Sequence, residues 1–249
     1  MRNLTPVTKY LLLANGLVWF LDVLLKQRGI YLAGLLGLNY WGADTFHWWQ
    51  PFTYMFMHAD FTHIFCNMFA VLMFGPALEQ EWGARRYLVY YLLCGLGAAL
   101  VQEGVWALQV ASVTSSMGAT AAMAYANHVL TIGASGAVFG ILLAFGWMFP
   151  DVRMFLLFVP IPIRARTFVL LYAAFELLAG LANTAGDNVA HFAHLGGMLF
   201  GAVCIWIWQK WGDRPWNSLM QRFRKHSRLD TTSTDQQNRW SDYHYQKRT

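Results

Sequence analysis

Long stretches of the chain are apolar, and short polar breaks separate them. The runs 10–25, 53–78, 87–109, 135–150, 167–184 and 191–209 stand out. A bilayer core of about 30 Å takes roughly 20 apolar residues per helix. The pattern therefore predicts six membrane-spanning helices, the first and fourth drawing on their flanks for length. The stretch MFLLFVPIPI at 154–163 is too short and too rich in proline to cross, and reads as an interfacial connector. The connection 26–52 is not a plain polar loop: Trp41, Trp48 and Trp49 predict a lobe lying in the membrane interface. From about residue 212 to 249 the chain is polar and mixed in charge, as a flexible tail would be. The expected organisation is a six-helix membrane domain over 1–211 and a cytoplasmic tail over 212–249. No internal repeat is visible.

Composition agrees with this pattern. Hydrophobic residues make up 57% of the 249 and charged residues 12%, against roughly 25% charged in ordinary soluble domains. The net charge of +5 does not point to nucleic acid, because the basic residues flank apolar runs and fill the tail. Arg2, Lys9, Arg85, Arg86, Arg153, Arg164, Arg166, Lys210 and all later Lys and Arg fall on one side of a six-span plan; only Lys26 and Arg28 fall on the other. Cytoplasmic loops are enriched in Lys and Arg, so both termini are expected in the cytoplasm. The first run ends in no small-residue cleavage site and reads as a span, not a signal peptide. Cys66, Cys94 and Cys204 lie within apolar runs at no ligand spacing, which makes them core thiols and not a disulfide frame or zinc site.

Polar groups inside spans are costly and mark candidate sites. Ser135 stands in TIGASGAVFG at 131–140. Taken alone it is either the cap of its helix or a reactive hydroxyl. Gly136 and Gly140 form a G-x-x-x-G stripe that lets another helix approach, and Gly133 can leave backbone N–H groups facing a substrate oxygen. In HFAHLGGMLFG at 191–201, His194 shares a helix face with Gly197 and Gly201. It is a packing histidine or, set against the glycines of the fourth run, a base for Ser135. In HADFTHIFCN at 58–67, His63 and Asn67 are four apart on one face. They either bond a neighbouring helix or donate to an oxyanion, and His58 lies just above them. By charge-derived topology Ser135, His63 and His194 fall at similar depth near the outer face. Asn183, Thr184, Asp187 and Asn188 form a polar outer end, with Asp187 read as a cap for the sixth span. Glu176 has no obvious partner, so no carboxylate is expected to orient His194. No H-E-x-x-H is present, and no metal or other cofactor is expected.

These segments together resemble the rhomboid intramembrane serine proteases. The matching pieces are G-A-S-G at 133–136, A-H-L-G-G-x-x-x-G at 193–201 and H-x-x-x-x-H-x-x-x-N at 58–67, in the same order and spans. E-Q-E-W-G-A-R-R at 79–86 is similar to the family's turn after the second span. The resemblance implies an all-α polytopic membrane protein, a six-helix rhomboid-like bundle with a membrane-embedded first loop. It implies a serine endopeptidase cutting transmembrane substrates near their outer end. Ser135 would be the nucleophile and His194 the base, with His63, Asn67 and the Ser135 N–H lining the oxyanion hole. Two positions depart from the family pattern. Phe139 stands where many members carry a tyrosine packing on the histidine, and Trp49–Gln50 stands where a Trp-Arg pair is usual, which removes an arginine from the first loop. The alternative implied is a non-catalytic rhomboid-like protein that binds or retains client transmembrane segments. Expected partners are transmembrane proteins and lipid, with no nucleic acid; the compact plan points to a bacterial inner membrane.

Overall fold

The structure is a computed structural model and describes residues 4–156, 159–182 and 190–211. Among the described residues, five helices are long and apolar enough to cross a membrane: α1 (Pro6–Lys26), α4 (Phe61–Trp82), α5 (Ala84–Met117), α8 (Ala165–Ala182) and α9 (His191–Trp211). The sixth predicted span is α7 (Ser135–Met148), apolar but only 14 residues. At 1.5 Å per residue it runs about 21 Å, short of a bilayer core. A helix this short leaves irregular backbone within the bilayer at one end or the other, which is tolerated where protein buries it or a wet cavity lies beside it.

The first loop is a folded lobe. It contains α2 (Ala33–Leu36), β1 (Leu38–Asn39), α3 (Gln50–Thr53) and one 3-10 turn at Tyr54–Phe56. β1 pairs antiparallel with β2 (Leu130–Thr131), which follows α6 (Ala119–Ala126). Gln50 is fully buried and staples the lobe. Its Oε1 accepts from the N–H groups of Asn39 and His47, at 3.3 and 3.1 Å, and its Nε2 donates to the Thr45 carbonyl at 3.1 Å. An amide thus holds the loop without the arginine whose absence the sequence marks. Further ties run to the bundle: the Trp41 N–H donates to Glu103 on α5, and the Asp44 N–H to Asn127. Trp48 is 82% exposed, placed as an interfacial anchor would be.

The second span begins later than its apolar run suggests. Residues 53–60 are not part of α4; Asp60 takes extended backbone and its Oδ1 accepts from the His63 N–H at 2.8 Å, capping the helix at Phe61. At the far end of α4, Glu79 accepts from the Val7 and Thr8 N–H groups at 2.8 Å each and from the Thr8 hydroxyl at 2.9 Å. The carboxylate so satisfies the free donors at the start of α1. Gly83, at φ +79°, makes the turn into α5. The connector predicted at 154–163 is a hairpin of β3 (Arg153–Leu156) and β4 (Val159–Arg164), with Pro160 and Pro162 in its second strand.

By contacts, the described chain divides into two units, the first ending at Cys204 and the second beginning at Ile205. In the first, α7 is nearly enclosed, packed by α4, α5 and α8. In the second, the described part is the end of α9, where the Lys210 ammonium lies 5.0 Å over the Trp206 ring. The predicted tail at 212–249 lies outside the described residues.

Candidate active site

The turn before α7 is held from two sides. The Gly133 N–H donates to the Tyr54 carbonyl at 3.0 Å, and the Tyr54 hydroxyl donates to the Gly95 carbonyl of α5 at 2.7 Å. Gly133 has φ +135°, a conformation that favours glycine, and a Cβ there would stand 2.7 Å from His63 Nε2. The chain then enters α7 with Ala134, not Ser135, in the capping position, and Ser135 makes no side-chain cap bond. Its Oγ instead lies 2.8 Å from His194 Nε2, on the first turn of α9.

The His194 ring has a partner on each nitrogen and on one face. Phe139 stacks on it with centroids 4.2 Å apart and planes 7° from parallel. The ring of Phe139 in turn tilts against Tyr172 at 4.8 Å. On the other nitrogen the structure overturns the expectation that no carboxylate is present. Glu176 Oε2, on α8, lies 2.8 Å from His194 Nδ1 and 2.7 Å from His191 Nδ1. A carboxylate only accepts, so both rings present Nδ1–H to it. His194 then carries its lone pair on Nε2 and accepts from the Ser135 hydroxyl, the tautomer a general base needs. The three side chains are buried. They place one ligand atom each within 4.8 Å, the spacing of a small cation site, yet their contacts are hydrogen-bond lengths, so the cluster satisfies itself.

His63 and Asn67 lie on α4 one turn apart. The Ala59 N–H donates to His63 Nδ1 at 3.4 Å, which leaves the hydrogen on Nε2, beside Gly133. Asn67 is buried, and its Nδ2 has no partner among the described residues. A buried amide donor left open is uncommon, and this one lies one helical turn beyond His63 on α4. His58 is fully buried above them, its ring edge-on to His63 at 5.0 Å between centroids. Burial, and then the neighbouring His63, push its imidazole down to about 3. The first turns of α4, α7 and α9 meet here through His63 beside Gly133 and Ser135 against His194, so their positive dipole ends add to the same field.

The glycines bring three helices together, not two. A Cβ on Gly197 would run into the backbone oxygen of Gly136, so α9 and α7 touch backbone to backbone. The open sides of Gly136 and Gly140 face Ala98 and Cys94 on α5 instead, and that of Gly201 faces Tyr90, whose hydroxyl donates to the Gly140 carbonyl at 2.8 Å. A cavity of about 660 Å³ reaches the cluster from the side, lined by Gln102, Gln109, Tyr125, His128 and His191 among others. Asn183, Thr184, Asp187 and Asn188 lie outside the described residues.

What fold and site define is a polytopic membrane protein with a hydroxyl–imidazole–carboxylate chain at the buried head of a short central helix. The pattern of the Rhomboid domain matches residues 45–211, and the chain belongs to the rhomboid family. Its relatives include rhomboid-like protein 11, chloroplastic, of Arabidopsis thaliana, 29% identical over 86% of this chain and 71% of that protein. The putative rhomboid protease YdcA of Bacillus subtilis is 26% identical over 82% of this chain and 90% of its own. Rhomboid protease AarA of Providencia stuartii is 30% identical over 79% and 70%. A chloroplastic protein stands among these relatives, so the bacterial inner membrane rests on the sequence reading alone.

Proposed function

We propose that the chain is an intramembrane serine endopeptidase acting on transmembrane helices near their outer end. The observation that carries this reading is the 2.8 Å approach of Ser135 Oγ to His194 Nε2. His194 Nε2 takes the hydroxyl proton as Oγ attacks the scissile carbonyl carbon. Negative charge that develops on the carbonyl oxygen is met by His63 Nε2–H, Asn67 Nδ2–H and the Ser135 N–H. The imidazolium then gives its proton to the leaving amine. Water, deprotonated by the same nitrogen, attacks the acyl-enzyme, releases the acid and restores Ser135. The substrate must unwind locally before attack, because helical carbonyls are already bonded within the helix. The polar cavity beside His191 is a route for the hydrolytic water. The basic residues put both termini in the cytoplasm and the site toward the opposite face.

The test is cleavage of a model transmembrane substrate in detergent or liposomes, with labelling by a fluorophosphonate probe. Ser135→Ala and His194→Ala are expected to abolish both; Ser135→Ala should unfold near the wild-type temperature, whereas His194→Ala should unfold lower but cooperatively, because it removes a buried ring bonded to Glu176 and stacked on Phe139. Cleavage at the wild-type rate by Ser135→Ala would sink the assignment. An intact chain that neither cleaves nor labels, yet co-purifies with the substrate helix, would favour the client-binding alternative.

A further inference from the structure

We propose that Glu176 is a positioning residue for His194, and that His191 holds Glu176 in place. The proposal deepens the hydrolase reading above and rests on it. One carboxylate oxygen receives an N–H from each of two histidines, at 2.7 and 2.8 Å. Two donors three residues apart on α9 clamp one acceptor on α8, so rotation of any of the three side chains breaks a bond. His194 Nδ1–H has one direction to point, and Nε2 is left with its lone pair toward Ser135 Oγ. Phe139, lacking a hydroxyl, adds a stacked face but no hydrogen bond to the ring. Stacking restrains tilt, whereas the tautomer is decided by what Nδ1 bonds. Glu176 therefore fixes the proton's place as well as the ring's. It also lies against the imidazolium that forms during attack, at 2.8 Å. A carboxylate within a membrane span is costly unless its partners compensate it, and these partners belong to the site.

Glu176→Gln keeps the shape but replaces the carboxylate with a neutral amide. Turned nitrogen-first, that amide favours hydrogen on Nε2, where His194 cannot accept the serine proton. The expected result is a fall in kcat of at least about tenfold, up to the roughly 10⁴-fold seen when a triad carboxylate becomes an amide, with KM changed less than twofold. His191→Gln should lower kcat about fivefold, the scale of one lost hydrogen bond. The double variant should fall no further than Glu176→Gln alone, because the two act through one oxygen. A measurement independent of any loss of folding is ¹⁵N NMR of histidine-labelled protein, with the His194 signals found by difference from His194→Ala. Nδ1–H is expected on neutral His194. An Nε2–H tautomer in the wild-type chain, or a folded Glu176→Gln with wild-type kcat, or a change confined to KM, would overturn the proposal. Should Glu176→Gln fail to fold, His191→Gln and the tautomer decide it. These failures differ from failure of the hydrolase reading, in which Ser135→Ala itself retains cleavage.

Discussion

Beside the serine, the side chains differ in how much of their role a helix wheel can convey. His58 shows this well: its sequence position marks it as near His63, but only burial gives it a physical consequence. The folded chain holds it neutral down to about pH 3, whereas an unfolded histidine protonates near 6.5. Between those values the unfolded chain binds a proton that the folded chain does not, so stability falls as pH drops below about 6.5 and levels off under 3. From pH 6.5 to 5 the loss from this one group is about 2 kcal/mol. His58→Phe removes the titration. Thermal unfolding of that variant between pH 7 and 5 is expected to depend on pH less steeply than the wild type, whatever its absolute stability. Equal slopes would mean that His58 is hydrated in the folded protein.

Helices meet here through what their glycines leave out. Gly197 faces the Gly136 backbone, so a side chain there forces α7 and α9 apart, and with them Ser135 and His194. Gly104 on α5 has nothing within 4 Å of its missing Cβ. Gly197→Val is expected to cost about 3 kcal/mol or more of stability by overpacking and to lower cleavage at least about a hundredfold, since a 1 Å displacement of reacting groups is enough. Gly104→Ala should leave cleavage at the wild-type rate and raise stability by up to about 1 kcal/mol through helix propensity. Thermal unfolding and cleavage rates of the pair check both; matching losses in the two variants would show that backbone contact is not what the glycines provide. The small-residue stripes were legible in sequence as a device for close approach. That Gly136, Gly140 and Gly201 turn their open sides to α5 was not, because spacing fixes which residues share a face and not which neighbour that face meets. The partners of Glu176 were hidden for the same reason. The signal was an intramembrane carboxylate with two histidines three apart on the following helix. Pairing them needed the relative depth and rotation of α8 and α9. The start of α4 was misplaced by eight residues, because Met55, Phe56 and Met57 are apolar like the span and only Asp60 marks the cap.

At the scale of the whole molecule, the bundle and the first loop are tied by different physics, and this separates their stabilities. The bundle rests on buried apolar faces, among them Tyr90, Tyr91, Val71, Leu78 and Ile141. The lobe has little such core. It is held by polar ties, with Gln50 at the centre serving two backbone donors and two carbonyls, and by Glu103 and Asn127 at its edges. Segments with few apolar contacts open locally at a free energy below that of global unfolding. Gln50→Ala leaves the backbone groups of Asn39, His47, Thr45 and Leu35 without these bonds, a loss of about 1–3 kcal/mol for the buried Asn39 N–H where water does not reach it. The lobe should therefore open on its own. In hydrogen exchange, residues 38–53 are expected to lose protection while α4, α5 and α7 keep theirs, and fluorophosphonate labelling of Ser135 should persist because no site side chain bonds to Gln50. Gln50→Glu, which restores the acceptor but not the donor to Thr45, should recover part of the protection. A uniform loss across lobe and bundle would instead mean that the loop is a cooperative part of the helix core, and that its polar ties stabilise the whole domain and not an appendage lying in the membrane surface.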